Sequence, residues 1–113
     1  MMDGVYMAAK KMPKIDTDAD VTVLEDQDIE EPKLYVIILH NDDFTTQDFV
    51  VYVLVNFLHK SPKDAFELMM KVHLEGKARV GQYVKDIAET KVHVITAHSR
   101  KHGMPLLVTC EPA

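Results

Sequence analysis

The chain has 113 residues, 47% of them hydrophobic, with a formal net charge of -5 and one cysteine, which is room for a single domain with a modest core. A lone Cys110 excludes an internal disulfide and fits a reducing, cytoplasmic setting. No Lys/Arg-rich stripe interleaved with aromatics argues for nucleic acid, and no run approaches the roughly 18 apolar residues that would span a membrane.

The charge is unevenly placed. Residues 1–32 hold nine acidic and three basic residues, a net of -6, whereas the other 81 hold nine acidic and ten basic, a net of +1. The opening MMDGVYMAAKKMPK puts its lysines after a short apolar patch, the reverse of a secretory signal. The stretch DTDADVTVLEDQDIEE has too few large apolar residues to offset its ordering entropy, so residues 1–32 are expected to form a flexible acidic extension ahead of a core domain over 33–113.

LYVIIL (34–39) is β-branched and almost continuously apolar, the pattern of a strand buried on both faces, central in its sheet. After HNDDF, a capping-box variant with Thr45 as N-cap and Asp48 at the third helical position predicts a helix to about His59. Its apolar stripe is Phe49, Val50, Val53, Leu54, Phe57 and Leu58. A second helix starts at Ser61-Pro62, with Asp64 near the positive end of the dipole. It buries Ala65, Phe66, Leu68, Met69 and Val72 and stops at Gly76 in the left-handed conformation.

KARVGQY (77–83) alternates loosely as a strand. Val84, Ala88, Val92, Ile95 and Ser99 then mark a long helix that lacks a good N-cap and ends at Gly103, and MPLLVTCE (104–111) is a last strand with Pro105 at its entrance. The order β-α-α-β-α-β predicts an α+β single domain. Its three-stranded, mostly antiparallel sheet carries the helices on one face.

The chemistry concentrates at Asn41, Asp42 and Asp43. One reading is local: Asn41 and Asp43 make Asx-turns between strand and helix. The other is that these acceptors face something positive, because Thr45 already supplies a cap and two further carboxylates exceed what a turn needs. His73, late in the second helix at the edge of its apolar stripe, is either a half-exposed helix histidine or a second contributor. His98 and His102 have the i, i+4 spacing of a metal pair, but no third ligand is evident, and they suit the negative end of a helix dipole. Cys110 in an apolar strand, Ser61 and Ser99 lack any nucleophile motif, and no Gly-rich phosphate loop is present. No enzyme, metal or cofactor is implied.

Taken in order, several short motifs resemble the ClpS family of adaptor proteins, which deliver substrates to Clp AAA+ proteases. They are Asn41-Asp42-Asp43-Phe44-Thr45 after a strand, Val72-His73-Leu74-Glu75-Gly76-Lys77 closing a helix, Ala88 to Val92 (AETKV), and Pro105 to Leu107 (PLL). The resemblance covers about residues 33 to 112. It implies capture of proteins whose first residue is bulky and hydrophobic, the N-end rule signal. A free α-ammonium has three donors, and drawing it from water is costly unless all are matched.

The resemblance assigns acceptors for that ammonium to Asn41, to His73 through a neutral ring nitrogen, and to Asp43. It gives Asp42 the tasks of orienting the loop and contacting the peptide backbone. It places Thr45, Val50, Met69, Val72 and Leu106 around an apolar pocket for Phe, Leu, Tyr or Trp. Gln47 stands at the pocket's mouth, where the family commonly has a Met that crowds β-branched side chains. Docking on the N-terminal domain of a ClpA/ClpC-type unfoldase falls to Asp86 and Lys91, and handing over the substrate falls to the extension. The implied protein is a monomer.

Two rival classes bear on the same residues. One is an α+β interaction module without such a pocket, in which Asn41 and His73 are dispensable. The other is a metal-dependent or acid/base enzyme using Asp42, Asp43 and His73.

Overall fold

The computed structural model describes residues 31–113; the extension expected over 1–32 lies outside the described residues but for Glu31 and Pro32. The elements follow the expected order: β1 (Leu34–His40), α1 (Gln47–Asn56), α2 (Pro62–Glu75), β2 (Lys77–Val84), α3 (Lys85–Lys101) and β3 (Leu107–Pro112). The sheet order is β2-β1-β3, with both pairings antiparallel and β1 in the centre.

Alternation along β1 splits its side chains between two environments. Ile37 and Leu39 are fully buried in a core built with Val53 and Leu54 of α1, Ala65 and Val72 of α2, and Ala88 and Ile95 of α3. All three helices therefore cover one face. Val36 and Ile38 point to the other face, yet they are 2% and 5% exposed. Their cross-strand partners Gln82, Glu111, Arg79 and Thr109 flank them there. One irregularity lies between Ile37 and Ile38, which pair with Gly81 and Arg79, leaving Val80 as an extra residue in β2 that is also buried in the core.

Several local details differ from the sequence expectations. Thr46, not Thr45, caps α1, its hydroxyl oxygen accepting from the Phe49 N–H at 3.1 Å. Thr45 is held by Asp42 instead, so the capping-box register shifts by one and Asp48 falls in the first turn. The helix ends at Asn56, and His59, at φ 57, takes the left-handed conformation just beyond it. Phe66 is 55% exposed rather than on the buried face of α2. β3 begins only at Leu107, so Pro105 precedes the strand.

Ser61 caps α2 as expected, accepting from the Asp64 N–H at 3.1 Å, and Gly76 closes it at φ 91. A side chain at that φ would be strained, so glycine is what lets the chain reverse directly from α2 into β2. Val84 starts α3 without a side-chain cap. Among the described residues, no helix is long and apolar enough to cross a membrane.

Candidate functional site

Two reversals bring the candidate residues together. β1 ends at His40, and the next backbone N–H, that of Asn41, donates to the Gly76 carbonyl at 2.8 Å. The loop after β1 is thereby tied to the C-terminal end of α2, where His73 lies one turn earlier. The cavity between them has a volume of about 410 Å³, within the range of small-ligand sites. Asn41, Asp42, Asp43, Thr45 and Gln47 line one side. Val50 of α1 and Met69, Val72 and His73 of α2 line the other, and Phe44 and Thr46 complete the wall.

The lining is graded from wet to dry. Asn41, Asp43, Gln47 and His73 are exposed, whereas Val50, Met69 and Val72 are 6%, 3% and 2% exposed. A polar, negatively charged mouth thus leads to an apolar floor, a shape suited to a ligand that is cationic at one end and hydrophobic at the other.

The three polar residues of the loop divide the work. Asp42 Oδ1 accepts from the N–H groups of Phe44 at 2.8 Å and Thr45 at 2.6 Å, and Oδ2 accepts from the Thr45 hydroxyl at 2.7 Å. Asp42, rather than Asn41 or Asp43, is therefore the Asx-turn residue. Partial burial opposes its charged form, but the hydrogen bonds from Thr45 and Phe44, together with the nearby Arg100 charge, outweigh it. The carboxyl ends below its ordinary value of 3.8. Asn41, Asp43 and His73 line the same cavity beside it.

Arg100 was missed in the sequence because a basic residue in the last turn of a helix reads as ordinary dipole compensation. Its Nη1 donates to the carbonyls of Met104 at 3.0 Å and Leu106 at 2.9 Å, fixing the approach to β3. Leu106 itself is fully buried in the core and does not line the cavity, unlike its expected place in the pocket.

The two expected docking residues are not brought together. Asp86 lies in the first turn of α3, beside a shallow hollow lined with Pro32, Tyr35 and Val84. Five residues on, Lys91 points about 140° away around the helix. Its ammonium donates to the Phe57 carbonyl at 2.8 Å and lies 5.2 Å from the Tyr83 ring centroid. Lys91 thus caps the end of α1. His98 and His102 have ring centroids 4.2 Å apart, and His98 packs against Phe49, Tyr52 and Phe57. Among the described residues, no group of three or more His, Cys, Asp or Glu is placed to hold a metal ion.

Comparison with known proteins places this geometry in a family. The model of the ATP-dependent Clp protease adaptor protein ClpS matches residues 30–109. The ClpS adapter protein of Oleidesulfovibrio alaskensis is 40% identical over 98 residues, covering 87% of this chain and 94% of that protein. That of Vibrio cholerae is 39% identical over 105 residues, covering 93% and 99%. A solved structure of Agrobacterium tumefaciens ClpS2 bound to L-phenylalaninamide superposes with a TM-score of 0.70 at 40% identity, covering 74% of this chain and all of that one. The chain belongs to the ClpS family of ATP-dependent Clp protease adaptor proteins.

Proposed function

We propose that this protein is a non-catalytic adaptor of the cytoplasm that captures proteins by a bulky hydrophobic first residue and presents them to a ClpA/ClpC-type unfoldase. The observation that carries the reading is the graded cavity, with Asn41, Asp43 and His73 at its mouth above Val50, Met69 and Val72. An α-ammonium brings three donors, and the mouth offers three acceptors of different kinds: an amide oxygen, a carboxylate and an imidazole ring nitrogen. The first side chain then enters the apolar floor, where burying a Phe or Leu is worth about 1.5–3 kcal/mol. Phenylalaninamide, held by the relative from Agrobacterium, has both parts, a free α-amine and a benzyl group.

Asp42 acts indirectly in this scheme. Its three hydrogen bonds fix the loop so that Asn41 and Asp43 are preorganised, and less ordering entropy is lost on binding. Gln47 is exposed at the mouth, where its unbranched side chain borders the entering residue. On the unfoldase side, Asp86 is the freer of the two docking residues, since the Lys91 ammonium is engaged within the chain. The acidic residues 1–32 act in handing the substrate over, and the adaptor works as a monomer.

Fluorescence anisotropy with a labelled peptide beginning with free Phe, against the same peptide acetylated at its N-terminus, tests the reading. The expected result is micromolar or tighter binding that acetylation abolishes. Binding that survives acetylation would remove the ammonium site and leave a general interaction module.

A further inference from the structure

Among the described residues, the most exposed large hydrophobic side chains are Phe44 at 79%, Leu74 at 72% and Phe66 at 55%. All three belong to the loop after β1 or to α2, both of which contribute to the lining of the cavity. Phe44 lies in its wall, and Phe66 and Leu74 lie on α2, the helix that supplies Met69, Val72 and His73. Phe66, Met70 and Leu74 are spaced i, i+4, i+8 and so form one stripe along the helix, next to the stripe that faces the cavity. With Met70 half-buried between them, the stripe runs about 12 Å, the length of three or four residues of extended chain.

Helical amphipathicity does not account for this stripe, because α2 already buries a separate face through Ala65, Met69 and Val72. Large apolar groups clustered on a surface mark a place that another chain covers. Here the stripe runs along α2 beside Met69 and His73, which line the cavity, and that adjacency names the occupant. A chain whose first side chain fills the cavity and whose ammonium sits at Asn41, Asp43 and His73 has to leave over a rim. Phe44 stands on the loop side of that rim and α2 forms the other side.

We infer that Phe66, Met70 and Leu74 form a second subsite, which takes apolar side chains in the few positions that follow the captured first residue. The inference rests on the pocket reading above and deepens it. Substrates are then graded by the first few residues together, not by the first alone. Polar second to fifth residues are bound through the cavity only, whereas apolar ones add contacts along α2.

The test uses the full chain and two C-terminally labelled peptides that both begin with free Phe. One continues with Ser and Gly only, and the other has Leu at the third and fifth positions. The Leu-containing peptide should bind about tenfold tighter, the gain from covering part of a large apolar side chain. The Phe66→Ser/Leu74→Ser double variant should erase that difference while leaving the Ser/Gly peptide's affinity unchanged, which also reports that the variant is folded. Equal affinities for the two peptides on the unaltered protein would overturn the subsite alone. A difference that persists in the double variant would also overturn it. Failure of both peptides to bind would remove the pocket and the subsite with it.

Discussion

The cavity and helix α3, which carries Asp86 and Lys91 on different sides, make different demands on a sequence. At the cavity, polar groups from one loop and two helices converge on a volume of about 410 Å³, and a backbone hydrogen bond from Asn41 to Gly76 ties the loop to the end of α2. On α3, Asp86 is exposed and Lys91 is half-buried and bonded within the chain. A site that must strip water from a small cation needs converging, preorganised acceptors. A surface that docks on another protein spreads its contacts, and single charges at its rim contribute little each.

This contrast can be broken in order of effect. Replacing Asn41 with Ala should weaken a free-Phe peptide most, by about 30- to 150-fold. It leaves one ammonium donor unmatched, a loss of about 2–3 kcal/mol. Titration by anisotropy reads the change, and an affinity within twofold of the unaltered protein would take Asn41 out of the site.

Asp42→Ala should follow, at about tenfold, because the hydrogen bonds that hold the loop carrying Asn41 and Asp43 are lost. The same carboxylate gives an acid signature. Its folded-state value lies below the ordinary 3.8, so its contribution to stability is fully present above that value and is lost as pH falls through the lower one. Thermal melts of the unaltered protein and Asp42→Ala should therefore differ at neutral pH and converge in strong acid. A constant gap across that range would mean that the charge on Asp42 is not what holds the loop.

His73 sharpens the contrast next. His73→Ala removes one acceptor from the mouth of the cavity, so free-Phe peptide affinity should fall several-fold in anisotropy titrations. Equal dissociation constants would leave His73 as a bystander at the mouth.

Lys91→Met should have the smallest effect on the peptide, under about twofold. It costs about 1 kcal/mol of stability through the lost bond to the Phe57 carbonyl. A large loss of peptide affinity would show that the two regions are coupled after all.

The element order, the central strand and the caps at Ser61 and Gly76 could be read from the sequence because each rests on local rules: periodicity, a short polar cap and a left-handed glycine. What could not be read depended on partners distant in sequence or on rival local choices. Thr45 and Thr46 are equivalent as caps until the Asp42 carboxylate claims the Thr45 hydroxyl. Phe66 fits the helical period of the core, yet its place at the edge of that stripe leaves it in solvent. Lys91 reaches Phe57, 34 positions away, and no pattern within one helix reports such a contact. The roles given to the cavity residues came from the family resemblance. The residues alone offered only a choice between a turn and a cation site.

The Ala113 N–H donates to the Leu34 carbonyl at 2.9 Å, so the chain enters and leaves the sheet at one end. The cavity loop follows β1 at the other end, and seven strand residues put about 20 Å between them. A tag, bead or sensor chip joined at residue 113 would thus sit at the far side of the sheet and leave the mouth facing outward. Attachment at that point should preserve ligand affinity, whereas coupling through the lysines of α2 would crowd the face proposed above for a captured chain.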